Sequence, residues 1–201
     1  GSDHRWRVEH FAMPSREQCL RAGALGITAS MSPFQSLYWG DLLDGVLYEP
    51  SVGARWQPYR DVYDGGLRPT FHNDGYLSPP LPWLNIQNAV TRRSASGQVH
   101  DPDQALTLDE ALKGHTINAA WQQKRDHEIG SIEVGKLADL VLLNTDPYDV
   151  DPTALQDTMQ VLGTWIAGRR VDLDAFMASV ADIDAADHMS ALHAHTTLHA
   201  C

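Results

Sequence analysis

The sequence predicts an α/β chain in which strand–helix units come first and antiparallel strands follow. Three observations carry this. Residues 5–31 read as strand, helix and strand within about thirty residues, the size of one βαβ unit. Strand and helix signals go on alternating to about Gln122. From Glu128 the pattern changes to short apolar runs set between glycine turns, the mark of antiparallel pairing.

Taken in order, Arg5-Trp6-Arg7-Val8-Glu9-His10 alternates polar and apolar and predicts a strand that ends on a histidine. Pro14 and Ser15 open a helix to about Ala24, with Ser15 as N-cap. Gly26 ends it, and residues 27–31 are a second strand closed by Pro33. Residues 34–56 are aromatic and glycine-bearing without a clean period, which predicts a long loop with a helical turn or two. A helix over Pro58–Tyr63 stops at Gly65-Gly66, and Leu67–His72 reads as a third strand running into Asn73-Asp74-Gly75. Ile86, Ala89 and Val90 sit at helical spacing within Leu84–Arg93. Thr107 and Glu110 form a capping box ahead of a helix that reaches about Gln122.

In the second half, Gly130 and Gly135 bracket a short alternation and predict turn, short strand and turn. The unbroken apolar run Leu140–Leu143 then predicts a buried strand. A helical patch near Pro152–Asp157, a strand over Gln160–Ile166, a turn at 167–170 and a return strand from Val171 complete this part. The tail from about Met177 is rich in Ala, Asp and His. His193, His195, His199 and Cys201 are metal-ligand types, and a flexible polar tail explains the same composition.

The chain has 201 residues and a net charge of −11, which argues against nucleic acid and anionic membrane surfaces as partners. No apolar run is long enough for a membrane span, and no basic-then-apolar leader is visible, so a cytoplasmic location is expected. Two cysteines far apart, Cys19 and Cys201, fit a reducing compartment better than a disulfide framework.

Two residues stand out chemically. His10 and Asp74 each follow a predicted strand in a strand–helix alternation. In a (β/α) barrel the C-terminal strand ends converge on one face, where an imidazole and a carboxylate can share a zinc-like ion. Taken alone, each residue is equally a hydrogen-bonding histidine or a turn aspartate.

The wording of several stretches adds a family. Glu128-Ile129-Gly130-Ser131-Ile132-Glu133-Val134-Gly135-Lys136-Leu137-Ala138-Asp139-Leu140-Val141 resembles the C-terminal signature of the amidohydrolase superfamily. Arg7-Val8-Glu9-His10 is similar to a strand of one broad branch whose histidine ligates metal. The segment Gly53–Arg92, with Asp74 in the place of that branch's aspartate, and the helix Thr107–Trp121 extend the likeness over roughly residues 5–175. The resemblance implies the last strand–helix units of a (β/α)8 TIM-like barrel over residues 1–127. It implies strands of a small terminal β-sandwich over 128–175, with residues 176–201 left as a flexible or helical tail.

By the same resemblance the parent enzyme is a hydrolase of non-peptide C–N bonds acting on a small amide-like substrate. A divalent metal is implied, zinc first, with one or two ions in the complete enzyme. His10 and Asp74 would be metal ligands, and Asp74 would also be the catalytic base; Glu9, on the other side of its strand, is read as structural. The likeness departs at His72-Asn73-Asp74, where that branch has Gly-Ser-Asp. It also lacks the family's ligands from earlier strands. With two protein ligands, the chain alone is expected to bind metal weakly and not to turn over. An unpaired first strand leads to the expectation of self-association or of a complementary N-terminal barrel portion. A non-catalytic scaffold or assembly fragment that keeps the fold is the alternative function.

Overall fold

Strands β1 (Arg7–His10), β2 (Thr28–Met31) and β3 (Thr70–Phe71) form a parallel sheet in the order β1-β2-β3, in a computed structural model that describes residues 3–181. Val8 lies opposite Ala29, His10 opposite Met31, and Met31 opposite Phe71. Helix α1 (Arg16–Ala24) joins β1 to β2. Helices α2 (Pro33–Leu43), α3 (Pro50–Gly53) and α4 (Tyr59–Asp64) lie between β2 and β3, and α5 (Pro82–Thr91), α6 (Leu108–His115) and α7 (Ile117–Gln122) follow. Central β2 is buried along its whole length, as a parallel strand covered on both faces must be. Strands β1 and β3 are the sheet's two edges.

The helices form because their ends are satisfied. Ser15 and Gln18 make a reciprocal capping box on α1, and Thr107 and Glu110 make one on α6. Ala29 and Met31 of β2, Cys19 and Ala22 of α1, Tyr59 and Val62 of α4, and Ile86 and Ala89 of α5 share one core. Helix α1 packs closely on α4 because Gly23 faces the Gly65 carbonyl, and a Cβ at Gly23 would lie 1.7 Å from that oxygen.

The second half holds β4 (Leu140–Leu143), α8 (Leu155–Thr158), β5 (Val161–Ile166), β6 (Arg169–Arg170) and α9 (Leu173–Ala181). Strands β4, β5 and β6 pair antiparallel in that order. Among the described residues this is one sheet, and the first sheet is three strands wide. His193, His195, His199 and Cys201 lie outside the described residues.

Four expectations are corrected. Residues 34–56 contain all but the first residue of the eleven-residue helix α2 and the turn of helix α3, not mainly loop. Their period is masked because α2 carries apolar side chains all round, with Phe34 and Leu43 buried but Trp39 and Leu42 exposed. The short strand between Gly130 and Gly135 does not form. Both glycines have positive φ, but Lys136 N–H closes a turn on the Glu133 carbonyl, and Ile132 and Val134 are exposed. Strand β4 is also largely exposed, because only Leu143 at its end reaches the core. The third strand shrinks to two residues: Pro69 has no N–H for the ladder, and Arg68 before it adopts φ +52°.

Candidate metal centre

His10, His72 and Asp74 meet at the C-terminal end of the parallel sheet. Each can offer one ligand atom such that all three atoms lie within 4.8 Å of one another. His10 is the last residue of β1 and Asp74 follows β3 by three residues, so parallel strand direction brings them to the same end. Both sit in strained backbone: His10 has φ +65° and Asp74 φ +52°, in the left-handed region that non-glycine residues seldom adopt. At His10 the chain turns within three residues, the Phe11 N–H donating to the Glu9 carbonyl at 2.8 Å.

His72 was not assigned a role from sequence, although the His-x-Asp spacing was the available signal. Its backbone N–H donates to the Met31 carbonyl at 2.9 Å and so carries the strand pairing one residue past β3. Its Nδ1 lies 2.9 Å from Asp74 Oδ1. The loop beyond is held by Asn73, whose amide exchanges hydrogen bonds with buried Asn85 of α5 at 2.9 and 3.3 Å.

An ionised carboxylate only accepts, so His72 Nδ1 carries the hydrogen and Nε2 is an acceptor. The Ser32 hydroxyl, 2.7 Å from Nε2, donates to it. Burial holds the His72 imidazole below the usual histidine range, with Asp74 and Glu9 opposing, which keeps the ring neutral and able to ligate. His10 Nδ1 lies 3.7 Å from Asp74 Oδ2 and 3.3 Å from Ser32 Oγ. The two rings are edge-on, with centroids 5.0 Å apart. Two imidazoles and a carboxylate suit a borderline divalent cation, and they are three donors, not the two expected from sequence.

Beside this cluster a cleft of about 370 Å³ is lined by Arg7, Glu9, Ser30, Thr70, His72 and Asp74, among others. Glu9 faces this cleft, 3.9 Å from His72 Nε2. Of the aromatic residues between 34 and 56, Trp56 reaches the cluster, through the side chain of Gln35.

A family model described as the amidohydrolase family matches residues 2–172. The chain is 34% identical over 162 residues to an N-substituted formamide deformylase of Arthrobacter pascens, covering 81% of this chain and 30% of that protein. It is 60% identical over 43 residues to an imidazolonepropionase of Geobacillus sp., 21% of this chain and 10% of that one. Among solved structures, an uncharacterised metal-dependent hydrolase from Pyrococcus horikoshii superposes with TM-score 0.61 at 25% identity, covering 73% of this chain and 30% of that one. A zinc-bound adenosine deaminase from Xanthomonas campestris superposes with TM-score 0.60 at 21% identity, covering 86% and 40%, and bears on fold alone. The chain thus spans less than a third of the length of the deformylase it matches.

Proposed function

We propose a function from one premise: the chain belongs to the amidohydrolase family. Such proteins support metal-dependent hydrolysis of C–N bonds as the general activity. The finer reading is that residues 1–127 are the last strand–helix units of a (β/α)8 barrel and 128–175 part of its terminal β-sandwich, with 176–201 as a tail. On that reading the chain is the metal-bearing C-terminal portion of a cytoplasmic hydrolase of small amide-like substrates. Cys19, a buried free thiol, fits a reducing setting.

The observation that carries the reading is the convergence of His10, His72 and Asp74 on one point. His10 Nδ1 and Asp74 Oδ2 face one another at 3.7 Å, beyond hydrogen-bond range, and a divalent cation, zinc by donor type, would join them by taking the Nδ1 lone pair from the Gln35 amide. A cation held there by His10, His72 and Asp74 would supply a water acidified toward neutral pH and a Lewis acid for the substrate carbonyl. Asp74 would be the base: the His72 N–H steadies Oδ1, and Oδ2, beside the cation and its water, would take the proton and pass it to the leaving nitrogen. Ser32 orients His72 from the other side. Turnover belongs to the whole protein, because the cleft lies on a sheet whose two edges are open among the described residues.

The test is hydrolysis of N-substituted formamides and related small amides by the full-length protein and its Asp74→Asn variant. Loss of turnover by two or more orders of magnitude, with the fold retained, is expected. Unchanged turnover in the variant would remove Asp74 as the base, and no turnover by the full-length wild type would favour a non-catalytic scaffold.

A further inference from the structure

We propose that Gln35 is a positioning residue that fixes the His10 ring and, by donating to Nδ1, keeps that nitrogen unprotonated. The Gln35 side-chain nitrogen lies 2.8 Å from His10 Nδ1, and its orientation follows from groups that can only donate. The backbone N–H of Ser32 donates to Gln57 Oε1 at 3.1 Å, so the other end of Gln57 is its amide NH2. That NH2 donates to Gln35 Oε1 at 3.1 Å. The indole N–H of Trp56, which has no acceptor function, donates to the same oxygen at 2.9 Å. Gln35 therefore presents its oxygen to Trp56 and Gln57 and its N–H to His10. Turning the amide over would set two donors against a third.

His10 Nδ1 must then accept, and the proton of the neutral ring sits on Nε2. Ser32 does not alter this, because its one hydroxyl hydrogen goes to His72 Nε2 at 2.7 Å. Gln57 is fully buried and Gln35 nearly so, so water has little access to relax the arrangement. The segment bearing Trp56 and Gln57 is fixed in turn by buried Arg92. Its guanidinium donates to the carbonyls of Gln57, Ala54 and Trp56 at 2.9, 2.9 and 3.0 Å. Arg92, Trp56 and Gln57 thus reach His10 through one amide. The tautomer stands on these hydrogen bonds alone; its use in holding a cation, which would take the Nδ1 lone pair in place of the Gln35 N–H, rests on the reading above.

The experiment is imidazole 15N NMR of the histidine-labelled, cation-free chain at about pH 8, where neutral rings dominate. His10 is assigned by its loss in His10→Gln. The wild type is expected to show an unprotonated Nδ1 and a protonated Nε2. Gln35→Glu replaces the donor with an acceptor and moves the proton to Nδ1. Trp56→Phe, which removes one lock while keeping bulk, lowers the bias and serves if Gln35→Glu does not fold. A wild-type His10 protonated on Nδ1, or a tautomer ratio indifferent to both variants, overturns the proposal. Failure of the same chain to bind zinc would remove the metal reading and leave this result standing, so the two failures are distinguishable.

Discussion

His10 Nδ1 and Asp74 Oδ2 face each other across 3.7 Å, beyond hydrogen-bond range. Gln35 donates to the first and His72 to the other oxygen of the second, and both His10 and Asp74 are held in left-handed backbone. Replacing Asp74 by Asn removes the charge but keeps the shape. Zinc affinity is expected to fall by about a hundredfold, roughly 2.7 kcal/mol, with little change in thermal stability. Calorimetric titration of the folded variant checks both.

His100 ties the end of α2 to the loop after α5. Its Nδ1 lies 2.8 Å from Asp44 Oδ2 and its Nε2 3.0 Å from Asp41 Oδ1. Gly40 allows this ring to lie flat on the helix, since a Cβ there would stand 2.9 Å from His100 Cδ2. His100→Leu and Gly40→Ala should each destabilise by about 1–3 kcal/mol, the first by removing the ring's bonds to Asp44 and Asp41 and the second by overpacking. Urea denaturation measures both.

Arg92 is buried at 1% exposure and donates to the carbonyl oxygens of His100, Gln57, Ala54 and Trp56, with its guanidinium 5.1 Å from the Tyr59 ring centroid. A lysine cannot span that set of acceptors. Arg92→Lys should therefore cost about 2–4 kcal/mol despite the conserved charge. Denaturant melts of the variant and wild type give the difference.

His115 gives stability a pH dependence. Its Nε2 is buried without a partner among the described residues, and burial pushes the imidazole down to about 4 from an ordinary 6.5. The unfolded chain then binds this proton first as pH falls. The stabilisation is complete above about pH 6.5, is lost progressively between there and pH 4, and is flat below, for a total of at most ~3 kcal/mol. His115→Phe should flatten that part of the stability curve.

Much of the scaffold was legible because its signals are local. Ser15 and Thr107 cap helices within three residues of their partners, and Val8 with His10 shows the strand period directly. His10 and Asp74 were found because strand ends are readable. Helix α2 escaped because Trp39 and Leu42 stand exposed opposite a buried Phe34, so no face repeats. A role for His72 is not legible locally because it depends on contacts with Ser32, 40 residues away, as well as with nearby Asp74. The Gln35 contacts reach 21 to 25 residues along the chain and leave no local pattern. The exposed β4 was misread because an apolar run reports the preference for burial and not what lies above it.

Isothermal titration of zinc into the cation-free chain, alongside His10→Ala, His72→Ala and Asp74→Ala, bears most directly on the shared site. One ion per chain, weakened at least tenfold by each substitution, is the predicted result. Binding that is absent from the folded wild type, or that survives all three substitutions unchanged, would contradict it.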